Sequence, residues 1–275
     1  MTEQNVHIHV KQLALLEIFN QLCKDNNLVY YLFAGTLLGA VRHKGFIPWD
    51  PDLDVAMPRK DYETFLKLYS KNQQENAAYF VGTHMTQKDH YSPHAVLYLN
   101  RTKILWERPN YERKYKSHEG VYIDIFPLDN GPDDLKLQRK QSNMIAFYKK
   151  ILYWKAGQYY HDGFFYKSAK SLIRFCLFLL PLRLVHWMMN KEMSRYNGKT
   201  TNYIIDGGTS YTYEKTILPK DIYGIPVLLE FEGKMFFSPC KFNDYLRRYY
   251  GDFMSFPSEK ARNAMLEKMP LFIEI

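Results

Sequence analysis

The stretch FAGTLLGAVRHKGFIPWDPDLDVAMPRKDYETF, residues 33–65, decides how this chain is read. It places Asp50, Asp52 and Asp54 at alternate positions in a chain whose net charge is +8. A Gly-Thr pair, Gly35-Thr36, precedes the acids, and the run DLDVAM, residues 52–57, is stopped by Pro58. That run reads as a strand. Successive strand side chains alternate faces at about 3.3 Å per residue, so Asp52 and Asp54 share a face with Cα atoms about 6.6 Å apart. Leu53, Val55 and Met57 turn to the other face and enter the core. Two carboxylates this close resist joint ionisation unless a cation lies between them. Mg²⁺ favours one or two carboxylates together with substrate phosphates, which makes the pair a cation platform; a solvated acidic edge is the plainer reading of Asp-x-Asp taken alone.

Working outward, LVYYLF, residues 28–33, is β-branched and aromatic and reads as a buried strand leading into Gly35-Thr36, with a helix following over TLLGAVRH. A turn at a helix N-terminus presents backbone N–H groups that suit a phosphate. Upstream, residues 8–25 form a helix with Leu15, Leu16, Phe19, Leu22 and Cys23 on one face. Downstream, RKDYETFLKLYSK is a helix with Tyr62, Phe65, Leu66 and Tyr69 on one side. Three strand candidates lie between residues 78 and 107: AYFVGT, AVLYLN and TKILWE. GVYIDIFPLD, residues 120–129, is a further strand, with Pro127 expected to end it. Asp124 sits there between Ile123 and Ile125, and a carboxylate in an apolar run needs a partner, whether a hydrogen bond or a shared metal. Arg42, His43, Lys44 and Arg59 flank the acids in sequence; they suit phosphate contacts or a solvated face.

Residues 133–196 turn helical, basic and aromatic. Within them SLIRFCLFLLPLRLVHWMM, residues 171–189, is the most apolar stretch, but its unbroken apolar run, Phe175 to Leu182, falls far short of the ~20 residues of a spanning helix. A buried helix is the expectation, and a membrane-interface helix the alternative. From residue 203 short strands surround IPVLLEFEGKMFF, and CKFNDYLRRYYG is expected as the last helix. The fold class is therefore α+β. The chain divides into a core over residues 1–132, a helical insertion over 133–205 that faces a membrane or an acceptor, and a segment over 206–275 that packs on the core. Three well-separated cysteines, Cys23, Cys176 and Cys240, exclude a disulfide framework and fit a reducing compartment. No signal-peptide pattern opens the sequence. His84, His90 and His94 cluster loosely without helical metal spacing and read as loop or strand residues.

GTLLGAVRHKGFIPWD with its acids, then MPRKDY, then DIFPLD, closely resembles the LicD family of phosphotransferases, and residues 231–262 resemble that family's closing segment. The resemblance implies a nucleotidyltransferase-like mixed sheet core. It implies transfer of a phospho-head group, phosphocholine foremost, from a nucleotide-linked donor such as CDP-choline to a hydroxyl of a glycan or lipid-linked glycan at the inner face of a cell membrane. Carried over by position, Gly35 and Thr36 take the phosphate turn. Asp52 and Asp54 take the metal pair for Mg²⁺ or Mn²⁺, and Asp124 is the third carboxylate. Arg42, Lys44 and Arg59 then serve the donor's phosphates, and Trp49, Tyr122 and Phe126 offer aromatic faces to the head group. Pro51 departs from the family, which carries Asp there. Two competing readings are a nucleotidyltransferase acting on RNA or a small molecule, although no RNA-binding signature is present, and a non-catalytic glycan-binding protein.

Overall fold

The computed structural model describes residues 3–70, 77–105, 118–156, 179–267 and 270–274. A long helix α1, Glu3–Asp25, opens the chain, with Leu15, Leu16, Phe19 and Cys23 completely buried as their spacing predicts. The strand expected over residues 28–33 shortens to β1, Tyr31–Leu32, because only two residue pairs meet its neighbour β2, Asp54–Pro58. Between them lies helix α2, Ala34–His43, and after β2 comes α3, Arg59–Tyr69. The three strands expected between residues 78 and 107 form as β3, Tyr79–Gly82, β4, Ala95–Leu99, and β5, Thr102–Leu105.

Strand β6, Tyr122–Gly131, is the spine of the molecule. The main sheet runs β1-β2-β6-β4-β3, with β2 parallel to β6 and the other pairs antiparallel. The second half of β6 pairs with β7, Tyr203–Asp206, which in turn pairs with β8, Ile217–Pro219. Pro127 does not end β6, contrary to expectation. The Asp124 N–H points at β2, to the Leu53 carbonyl, so the nitrogen of Pro127 faces the opposite edge. There β4 pairs only as far as Ile125 and β7 only from Leu128, so no ladder donor is needed at position 127.

Two helices, α4, Leu135–Lys155, and α5, Leu182–Met193, pack on each other around Ile145, Leu152, Val185, Met189 and Met193. Ile205 and Ile217 join that cluster, which seats the helix pair on the β7–β8 end of the sheet. Asp134 caps α4 by accepting from the amides of Lys136 and Leu137. Of the apolar stretch 171–189, residues 171–178 lie outside the described residues, as does Cys176; within α5, Val185 is buried while Leu184 and Trp187 are exposed. Among the described residues no helix is long and apolar enough to cross a membrane.

Short helices α6, Tyr213–Thr216, and α7, Lys220–Tyr223, lead to a hairpin of β9, Val227–Phe231, and β10, Lys234–Ser238. Helix α8, Phe242–Tyr250, then buries Tyr245 and Tyr249. It is not the last element: α9, Glu259–Leu266, and β11, Leu271–Glu274, follow, and β11 pairs with β5. The main core gathers α1, α2, α8 and the sheet around side chains such as Phe19, Phe33, Leu97 and Phe231.

Candidate active site

Strand pairing brings the acids together. Asp54 opens β2, and its register partner on parallel β6 is Asp124, so the two carboxylates stand side by side on neighbouring strands. The site lies in a cavity of about 1230 Å³ lined by Asp50, Asp52, Asp54 and Asp124. Its other walls come from α2, from the loop before β4, from the loop after β7 and from the segment after α8.

Asp54 is fixed through its backbone. Its N–H donates to Thr36 Oγ1 at 2.7 Å, and its carbonyl accepts from the Phe33 N–H at 3.1 Å. Thr36 is thus buried, and its hydroxyl orients the strand carrying Asp54. Gly35 and Thr36 lie inside the first turn of α2 and not in a turn before it. Gly35 lines the cavity, and a Cβ there would come within 2.4 Å of Asp50 Oδ2, so only glycine lets the Asp50 carboxyl lie against the helix. The residue before it, Ala34, has φ 43°, a conformation that costs an L-residue roughly 1–2 kcal/mol. Its N–H is held by Tyr245 Oη at 3.2 Å.

Asp52 is not part of β2. It sits exposed in the preceding loop, with its N–H on Asp50 Oδ1 at 3.3 Å and its own Oδ1 accepting from the Tyr122 hydroxyl at 3.1 Å. Asp124 Oδ1 lies 3.2 Å from His94 Nε2. Burial, followed by the charges of Asp124, Asp52, Asp50 and Asp206, pushes the Asp54 carboxyl well above the ordinary carboxylate range. Burial pushes Asp50 up to about 6.

Other residues expected at the site have different surroundings. Arg42 lines the cavity, but its Nη1 donates to the carbonyls of Phe253 at 3.1 Å and Ser255 at 3.2 Å and so ties down the cavity wall after α8. Lys44 is the exposed C-cap of α2, with φ 58°, and Arg59 is a two-pronged partner of Asp129 at 2.7 and 2.5 Å; neither lines the cavity. Trp49 lines it, with the Arg262 guanidinium 5.5 Å over its ring, so a cation from the chain itself sits on that indole. Phe126 also lines it but is buried against Phe33 and His94. Tyr122 reaches the site only through its hydroxyl on Asp52. The histidines at 84, 90 and 94 do lie outside helices, and His94 immediately precedes β4.

Some neighbours of the carboxylates were not expected. Asp206 ends β7, completely buried, and accepts from the Gly208 N–H at 2.9 Å. Lys149 of α4 donates to the Thr209 carbonyl at 2.5 Å and faces Asp206 electrostatically, which holds the Gly208–Tyr211 wall in place. The sequence signal was available: YIID followed by two glycines ends an apolar strand in a carboxylate, the same kind of cue that singled out Asp124. Tyr211 and Tyr250 line the cavity with hydroxyls 3.1 Å apart.

Among the described residues no three His, Cys, Asp or Glu side chains are already gathered as a metal-binding group. The pairing of Asp54 with Asp124 leaves two hard oxygen donors facing shared space, and Mg²⁺ is commonly completed by substrate phosphates and water over such a pair.

Comparison with known proteins places the chain in a family. The family described as LicD/FKTN/FKRP, nucleotidyltransferase domain, matches residues 27–191. Over 261 residues the chain is 27% identical to the lipopolysaccharide cholinephosphotransferase LicD of Haemophilus influenzae, covering 90% of each protein. An uncharacterized protein of Rickettsia typhi is 39% identical over 67 residues, 23% of this chain and 22% of that protein. One from Rickettsia prowazekii is 44% identical over 54 residues, 18% of this chain and 20% of the other.

Proposed function

The chain belongs to the LicD family, and from that premise we propose that it moves phosphocholine from CDP-choline onto a hydroxyl of a cell-surface glycan or its lipid-linked precursor. The observation that carries this reading is the register of Asp54 with Asp124 in the cavity. A likeness to a cholinephosphotransferase over 90% of each protein supports the choice of donor. The work is done at the cytoplasmic face of the membrane, where nucleotide-linked donors and lipid-linked glycans meet.

Asp52, Asp54 and Asp124 would hold a divalent cation of the Mg²⁺ or Mn²⁺ type. When bound, such an ion neutralises charge on the phosphates, which is most of what phosphoryl transfer asks of a protein. The chain's own residues position the rest. Thr36 fixes the backbone of Asp54, and glycine at 35 leaves room for the carboxylate wall beside the donor's phosphates. Attack by the acceptor hydroxyl releases a proton, and the Asp124–His94 pair is a carboxylate–imidazole contact able to receive it. The quaternary ammonium of choline asks for aromatic faces, and Tyr91, Tyr98, Tyr211 and Tyr250 line the cavity in addition to Trp49 and Phe126.

The test is release of CMP from CDP-choline with Mg²⁺, with and without a lipopolysaccharide acceptor, in the parent and in Asp54→Asn. The reading expects acceptor-stimulated CMP release that Asp54→Asn abolishes without unfolding the chain. Transfer of the nucleotide itself to the acceptor, or full activity in Asp54→Asn, would overturn it. CDP-ribitol and CDP-glycerol run in parallel identify a different head group.

A further inference from the structure

A second cavity of about 400 Å³ lies between α3, the loop before β4 and α5. It is within the ~300–1,000 Å³ span usual for small-ligand clefts. It shares the segment Ser92-Pro93-His94 with the main cavity as a common wall. His94 therefore faces both spaces, and its Nε2 is the group 3.2 Å from Asp124 Oδ1.

The lining of this second cavity has a particular chemistry. Trp187 is an exposed indole, 56% accessible, with Lys191 Nζ 5.0 Å from its ring centroid. His84 and His186 stack at 4.6 Å with 9° between their planes, and His186 is anchored by its Nε2 to the His90 carbonyl at 2.8 Å. Burial lowers the pKa of both imidazoles, so they stand neutral; with the His186 N–H given to His90, its Nδ1 is left as an acceptor. Formal charges around the lining sum to zero: Arg59 is paired with Asp129, and the lining carries one lysine, Lys191, and one glutamate, Glu63. Asn190 and Ser194 add amide and hydroxyl groups. An accessible aromatic surface, a ring of neutral hydrogen-bonding groups and a formal charge that sums to zero suit a polyhydroxylated uncharged ligand better than a phosphate.

We propose that this second cavity binds a neutral sugar unit of the acceptor glycan. The inference rests on the transferase reading above and names where its acceptor is held. A glycan seated against Trp187 passes the Ser92–His94 wall and presents a hydroxyl of a neighbouring unit to the carboxylates, with His94 at the junction of the two spaces.

The experiment is saturation-transfer NMR on the full chain with galactose, glucose, N-acetylglucosamine and N-acetylgalactosamine, in the parent, Trp187→Ala and Glu63→Ala. Both substituted side chains are exposed, so the fold tolerates their loss. The expected result is a signal from at least one of these sugars in the parent that Trp187→Ala removes and Glu63→Ala weakens. With delipidated lipopolysaccharide oligosaccharide as acceptor, Trp187→Ala raises KM for the oligosaccharide by about tenfold against less than about a twofold change in KM for CDP-choline. Signals absent for all four sugars, or equal in the parent and both variants, overturn the proposal. Displacement of a bound sugar by inorganic phosphate also overturns it, because the site would then be anionic in preference. A parent that binds sugar in a Trp187-dependent way but never splits CDP-choline leaves the sugar site standing and defeats the transferase reading instead.

Discussion

Asp54→Asn should stabilise the cation-free protein while destroying its activity. Asp54 and Asp124 are register partners on adjacent strands, which lie about 4.8 Å apart. Two unit charges 5–6 Å apart at an effective dielectric near 20 repel by about 3 kcal/mol. Burial and the neighbouring acids raise the folded-state pKa of Asp54 above its unfolded value. Between those two values the folded chain holds a proton that the unfolded chain has lost, so this group's contribution to stability is complete at low pH and disappears as pH rises through the folded value. An amide in the same place has no such loss. The advantage of the variant should therefore be small near pH 4 and reach about 3 kcal/mol in alkaline buffer, which is roughly 5–10 °C in Tm for a chain of this size. The assay is thermal unfolding of parent and variant in EDTA from pH 4 to 9. Adding Mg²⁺ with CDP-choline should then raise the parent's Tm and leave the variant unmoved, by mass action on the folded state. A variant that melts below the parent in EDTA at pH 8 would show that the buried charge is already compensated and would refute the electrostatic reasoning.

Thr36→Val keeps the shape of the side chain but strands the buried Asp54 N–H, which should cost about 1–3 kcal/mol in a urea titration and lower kcat more than the donor's KM. Asp129→Asn leaves the Arg59 guanidinium without its charged partner and should cost about 3–5 kcal/mol, with the surviving folded fraction still splitting donor, since neither residue lines the main cavity. Ala34→Gly relieves a positive-φ alanine and should raise stability by up to about 1 kcal/mol; a loss would show that the Ala34 methyl matters more than its backbone strain. His90 and His186 are buried neutral, with pKa values lowered to about 3 and about 4, so the unfolded chain takes up protons below pH 6.5 that the folded chain refuses. Each should therefore cost about 2 kcal/mol at pH 5, and His186→Gln should flatten the fall in urea midpoint between pH 7 and pH 5.

Much of the fold could be read locally. Helix periodicity in α1 and α3, β-branched and aromatic runs at β3, β4 and β6, and the punctuation at Pro58 are all consequences of neighbours within a few residues of one another. The candidate acids Asp52, Asp54 and Asp124 were legible for the same reason, since a carboxylate in or beside an apolar strand is conspicuous wherever it occurs. Errors came where local rules met long-range pairing. Pro127 breaks a strand only if a partner needs its N–H, and the gap between β4 and β7 removes that need. Arg59 follows the acids closely in sequence, yet it turns to Asp129, seventy residues away, because burial at the end of β6 demands a charged partner there.

The sequence by itself determined the family, the candidate carboxylates and most of the elements, because these depend on residue type and short spacing. Only the tertiary structure decided that Asp54 meets Asp124, that the Thr36 hydroxyl accepts from the Asp54 N–H, and that Asp206 and His94 stand beside the acids. It alone made the second cavity, whose walls come from residues 59–66, 83–94 and 186–194. Such juxtapositions arise from strand register and helix packing across a hundred residues and more, and short-range sequence patterns carry no information about those contacts.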